Sequence, residues 1–140
     1  MRKRDPKIDR MMTSALFAQL GDRKLRALAP FIDDVEMAAG TTLMTEGSFP
    51  YELMIIVEGA ADVVIGGEKV GEVGPGAVLG EMALLKKGKR TATVVTSAAS
   101  KMLVMSGRAF AGLVEKHPKV AAELRSIAEE RAASNERLTG

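Results

Sequence analysis

Ten of the chain's fourteen glycines fall between Gly40 and Gly88, and this spacing constrains the fold more than any other feature. The glycines cut the middle of the chain into "TTLMTE", "YELMIIVE", "AADVVI", "EKVGEV" and "AVLG". These segments have strand lengths and are rich in Val, Ile, Thr and Met. Gly66-Gly67 reads as a two-residue hairpin turn, because consecutive glycines accept the positive φ angles such a turn needs. Gly74-Pro75-Gly76 marks another turn. Beyond Arg90 the pattern resumes with "TATVVT" and "KMLVMS". Short strands with turns at this spacing predict a sandwich, barrel or jelly roll.

The ends follow a different period. Residues 8–31 read as helical, first "IDRMMTSALFAQL" and then "DRKLRALAPF" with Asp22 as its N-cap. Ser106 can cap "GRAFAGLVEKH", and Pro118 suits the first turn of a following helix. In that helix Val120, Leu124 and Ile127 form one apolar row. A chain of 140 residues suggests a single domain, and such a domain buries about two-thirds of its unfolded surface. The expected class is α+β, an antiparallel β-roll (jelly roll) at 32–106 flanked by N-terminal helices at 8–31 and two C-terminal helices at 107–138. Together, 8–138 make one domain behind a solvated basic tail at 1–7.

Composition removes several function classes. The chain has no cysteine, which excludes disulfides and thiolate metal sites and fits a reducing cytoplasm. No apolar run approaches the roughly 20 residues of a membrane span. "MRKR" is followed by "DPKIDR" where a signal peptide would turn apolar. The formal net charge is +2, of which the first ten residues, with five basic and two acidic side chains, carry +3; the other 130 sum to −1. A near-neutral body argues against a broad nucleic-acid footprint. Charge alone reads "KKGKR" at 86–90 as a solvated loop.

Jelly rolls often carry metal enzymes, whose sites need clustered histidines with carboxylates or cysteines. Here the one histidine, His117, sits before Pro118 and reads as a helix-boundary residue. A Ser-His-Asp or Cys-His arrangement meets the same obstacle. "GPGAVLGE" lacks the Lys-Ser/Thr of a triphosphate loop, and its third glycine arrives one residue late for a dinucleotide fingerprint. A binding module without cofactor or metal is expected, not an enzyme.

The stretch with binding chemistry is "GEMALLKKGKRTAT", Gly80 to Thr93. A short helix starting near Glu81 presents free backbone N–H groups, which attract anions. Gly80 lets a ligand approach the backbone. Arg90 offers a planar fork of donors that suits two phosphate oxygens. Glu81 repels phosphate but accepts hydrogen bonds from hydroxyls, so acid, arginine and amides together ask for a sugar phosphate. Taken singly, Glu81 also reads as an acid favoured by the helix dipole, and Arg90 as a surface residue.

The order Gly-Glu-Met-Ala-Leu-Leu, a short loop, then Arg-Thr-Ala-Thr closely resembles the phosphate-binding cassette of the cyclic-nucleotide-binding domain family. That family includes catabolite-activator-type regulators, cyclic-nucleotide-gated channels and kinase regulatory domains. "LFAQLGDRKLRALAPF" resembles the family's opening helices, and Gly40, Gly47 and Gly59 stand where its turns carry glycine. The resemblance implies that Arg90 pairs with the cyclic phosphate and Glu81 holds the ribose 2′-hydroxyl. It assigns Gly80, Met82, Ala83 and Leu84 to the turn and short helix whose amides meet phosphate and sugar. Thr91 matches a position tied to guanine recognition, and also reads as a β-branched strand residue with no ligand contact.

Some positions depart from the family pattern. Leu79 replaces an aromatic or Ile, Ser48 stands where Asp is common, and no aromatic follows Phe110 to cap a base. Arg131 falls on the face of Val120, eleven residues and almost three turns on. It reads as a side chain lying along the surface; the resemblance implies instead a guanidinium lid over the base.

The resemblance implies a cytoplasmic sensor of cAMP or cGMP that signals by closing its C-terminal helix over the ligand. The chain would be freestanding or cut from a larger protein. Nothing after the last helix reads as DNA-reading helices, a kinase or a channel segment, so neither direct nucleic-acid binding nor a membrane span is expected, and the effector is not written in the chain. The alternative is a ligand-free protein-interaction module of the same fold; the presence of both Glu81 and Arg90 favours the sensor.

Overall fold

A computed structural model describes residues 6–48, 52–80 and 90–139, with side chains in the last helix described as far as residue 130. The chain opens with α1 (Pro6–Met11), α2 (Ala15–Ala18) and α3 (Asp22–Leu28), then a 3-10 turn, Ala29–Phe31. The described strands are β1 (Asp33–Met37), β2 (Thr42–Met44), β3 (Glu52–Glu58), β4 (Ala61–Ile65), β5 (Glu68–Val73), β6 (Val78–Leu79), β7 (Thr93–Thr96) and β8 (Ser100–Ser106). Helices α4 (Gly107–Lys116) and α5 (Pro118–Thr139) close the chain. The strands form two antiparallel sheets, ordered β1-β8-β3-β6 and β2-β7-β4-β5. This is an antiparallel β-roll with flanking helices.

The middle strands of the first sheet, β3 and β8, are apolar on both faces. On β3 and β8, Leu53, Ile55, Leu103 and Met105 pack against the helices, whereas Met54, Ile56, Met102 and Val104 face the roll interior. A strand's side chains alternate between faces, so burial of both faces explains the unbroken runs "LMIIV" and "MLVM". The helices complete the outer core with Phe17, Leu25, Leu28, Phe110, Leu113 and Leu124, all buried. Inside the roll, Ala61 and Val94 of the second sheet meet Met54, Ile56, Leu79, Met102 and Val104.

Local chemistry sets the boundaries. Gly66 and Gly67, at φ 59° and 83°, turn β4 into β5 as their sequence predicts. The Ala77 N–H donates to the Gly74 carbonyl at 3.0 Å and closes the Gly74-Pro75-Gly76 turn. Ser106 caps α4 by accepting from the Ala109 N–H at 3.0 Å, and Pro118 opens α5.

Four expectations need correction. The solvated tail expected at 1–7 does not include Pro6 and Lys7: both belong to α1, and Lys7 Nζ donates to the Ala29 and Ile32 carbonyls at 3.1 and 2.9 Å. Residues 8–20 are not one helix: the chain turns at 12–14, where Ser14 accepts from the Leu16 N–H and starts α2. The cap of α3 is Gly21 rather than Asp22, which is the first helical residue. Strand β1, "DDVEM", was not among the segments that glycine spacing marked; it pairs with β8 along its full length and half-buries only Val35 and Met37.

Candidate functional site

β6 is two residues long and pairs with β3 through Met54–Leu79 and Ile55–Val78. It delivers Gly80 beside the start of β3. Gly80 has φ +77°, and a Cβ there would lie 2.1 Å from Arg90 Nη1 and 2.5 Å from the Glu52 carbonyl oxygen. Only glycine fits both the angle and the space. The room at Gly80, expected to admit a ligand, is therefore filled by the Arg90 guanidinium.

Arg90 is 8% exposed, so the surface-residue and solvated-loop readings of it are wrong. Its Nη2 donates to the Glu52 carbonyl at 3.0 Å. Its backbone N–H donates to the Ser48 carbonyl at 2.7 Å, and its own carbonyl accepts from the Gly47 N–H at 2.8 Å. Three residues on, Thr93 Oγ1 accepts from the Glu46 N–H at 2.9 Å. The segment before β3 thus grips the segment entering β7 at several points. The side chain is tied to the Glu52 carbonyl and lies against Gly80. A guanidinium carries the planar fork of donors that recognises two oxygens of one anion.

Of the predicted site residues, the structure brings Gly80 and Arg90 into contact. Thr91 follows Arg90 in a bend ahead of β7 and is exposed, so it is not a strand residue. Glu81, Met82, Ala83 and Leu84 lie outside the described residues, as does the side chain of Arg131, whose backbone belongs to α5. The predicted row on α5 is present: Leu124 and Ile127 are buried and Val120 packs against them.

Sequence reasoning missed Glu52, which acts through its carbonyl. It also missed two exposed apolar side chains of the β4–β5 hairpin, Ile65 and Val70, 45% and 58% exposed. The hairpin lies near the arginine segment, since the Gly66 N–H donates to Glu46 Oε2 at 3.4 Å. His117 is exposed and ends α4. Among the described residues no cluster of His, Cys, Asp and Glu could hold a metal ion.

The Cyclic nucleotide-binding domain family matches residues 34–117. A cAMP-dependent protein kinase regulatory subunit of Mycosarcoma maydis is 33% identical, over 78% of this chain and 24% of that protein. A cyclic nucleotide-gated potassium channel of Rhizobium etli is also 33% identical, over 83% of this chain and 32% of that protein. The chain thus spans between about a quarter and a third of these relatives. Among solved structures, the N-terminal domain of a transcriptional regulator from Streptomyces coelicolor superposes with a TM-score of 0.75 at 27% identity, covering 91% of this chain and 94% of that one.

Proposed function

The chain belongs to the cyclic nucleotide-binding domain family, and on that premise we propose that it is a cAMP or cGMP sensor whose α5 closes over the bound ligand. The observation that carries this reading is the buried Arg90 guanidinium, seated on Gly80 and oriented by the Glu52 carbonyl. In the proposed complex Arg90 pairs with the cyclic phosphate and Glu81 accepts from the ribose 2′-hydroxyl. The amides of Gly80, Met82, Ala83 and Leu84 meet phosphate and sugar. Ile65 and Val70 offer an apolar seat for the purine, Thr91 tunes acceptance of guanine, and Arg131 lies over the base.

We place the domain in the cytoplasm; among the described residues no helix is long and apolar enough to cross a membrane. The matched relatives are a kinase regulatory subunit and a gated channel, so the effector is a protein or domain controlled by this one, not a reaction performed here.

The test is calorimetry and thermal shift with cAMP, cGMP and AMP. A ligand at 100 times its dissociation constant stabilises the fold by about 2.7 kcal/mol. A shift with a cyclic nucleotide and none with AMP is the expected result. No shift with either cyclic nucleotide would replace the sensor with the ligand-free interaction module.

A further inference from the structure

Closure requires α5 to move, and in this structure α5 is packed on the other helices, in the core on the outer face of the first sheet. Its buried face, Ala121, Leu124, Ile127 and Ala128, belongs to the helix-side core, and its main packing partners are α2, α3 and α4. Beside that apolar seam, Lys24 Nζ on α3 donates to Glu123 Oε2 on α5 at 2.5 Å. The two residues are 99 positions apart and join the opening helices to the last one. Their side chains are 44% and 37% exposed, so either charge can return to water when the pair opens. A buried pair would strand a charge instead.

We propose that the Lys24–Glu123 pair is an electrostatic latch that holds α5 on α3 in the ligand-free protein and thereby sets the affinity of the nucleotide site. The proposal rests on the sensor reading, because it takes α5 as the closing element. An apolar seam survives a small slide of one helix along another. The Lys24–Glu123 bond is lost once the helices part beyond the reach of the two side chains. The pair is therefore the contact that distinguishes the fastened helix from a shifted one. An interaction made in only one of two states biases the population toward that state, and the apparent affinity for a ligand of the other state falls by the same factor.

The experiment compares wild type, Lys24→Gln, Glu123→Gln, their double variant and the charge swap Lys24→Glu/Glu123→Lys. Each single variant should bind cAMP about two- to fivefold more tightly at low salt, the range expected of an exposed ion pair. The double variant should gain nothing further, and the swap should return to the wild-type affinity. The gap between wild type and single variants should shrink at high salt, where screening already weakens the latch. Unchanged or weaker binding in the single variants overturns the proposal. Hydrogen exchange of residues 119–128 without nucleotide reads the latch independently: the variants should exchange faster. If wild type binds no cyclic nucleotide, the sensor reading fails. The exchange arm then decides alone whether the pair fastens α5, and equal protection in all proteins removes the latch.

Discussion

The two faces of the first sheet carry different duties. Its outer face meets helices and buries large side chains, Phe17, Phe110 and several leucines, in one continuous cluster. Its inner face meets the second sheet across Met54, Met102, Ile56, Val94 and Val104, with no aromatic among the described residues. Methionine adapts to irregular space and specifies packing less sharply than leucine or phenylalanine. Arg90 and Gly80 stand at the end of β6, whose Leu79 belongs to the inner cluster. The fold is thus held mainly from the helix side, while the candidate site is built on the roll side. Substitutions on the first side should unfold the protein, and those at the site should silence it.

The largest effect tests the first half of that contrast. Phe110 is 1% exposed, and Phe110→Ala should cost about 3–5 kcal/mol in urea unfolding. Val94→Ala inside the roll removes two methyl groups and should cost roughly 2 kcal/mol. Equal costs would mean that the two cores share the load, and the contrast would be lost.

The second half is tested at Arg90. Arg90→Ala should weaken cyclic-nucleotide binding by about 2–5 kcal/mol, the usual penalty for truncating one partner of a desolvated charge pair. Its unfolding free energy should change by less, about 1.5 kcal/mol, the low end for one hydrogen bond from a charged group. Arg90→Lys should bind poorly as well, because a point charge cannot present the fork. Calorimetry beside urea unfolding separates the two readouts, and retained affinity in Arg90→Ala would remove the phosphate assignment.

Gly80→Ala comes next. The positive φ alone costs an L-residue about 1–2 kcal/mol, and the new Cβ must push the Arg90 guanidinium from its seat. Binding should therefore fall by more than the stability loss explains. If affinity holds while stability drops, Gly80 serves the backbone alone and the seat is not needed.

What the sequence made legible follows the same divide. β3 and β8 stood out because burial on both faces leaves no polar alternation to confuse the pattern. β1 did not, because an edge strand with acids at Asp33, Asp34 and Glu36 carries little apolar signal. The break at 12–14 was hidden because the apolar period runs through it, although Ser14 had the chemistry of a cap. At the site, Arg90 was legible as a type of residue but not as a buried one. Its neighbours "KKGK" speak of solvent, and its burial depends on Gly80 meeting it across the fold. Glu52 was illegible because it contributes a carbonyl, which every residue has.

The smallest expected effect sharpens the claim that apolar contact, not charge, holds the helix side. Arg10 on α1 grips Asp34 on β1 with two bonds, Nε to Oδ1 at 2.7 Å and Nη2 to Oδ2 at 2.5 Å. The hydrogen bonds from Arg10 hold the Asp34 carboxyl below its usual value of 3.8, against a smaller opposing push from burial, with the Arg10 and Lys7 charges adding to the lowering. Because the folded-state value is depressed, the pair's contribution is fully present above the unfolded pKa. It is lost as pH falls through the lower folded value. Both side chains are more than a third exposed, so water screens the pair and Asp34→Asn should cost less than about 1 kcal/mol near neutral pH. In acid below the lowered folded value, where the native carboxylate is neutralised, the gap between variant and wild type should narrow toward zero. Urea unfolding at the two pH values checks both points. A gap that persists in acid would mean the carboxylate charge is not its source. A cost of several kcal/mol at neutral pH would show that this strap, rather than the buried leucines and phenylalanines behind it, fixes α1 to the sheet.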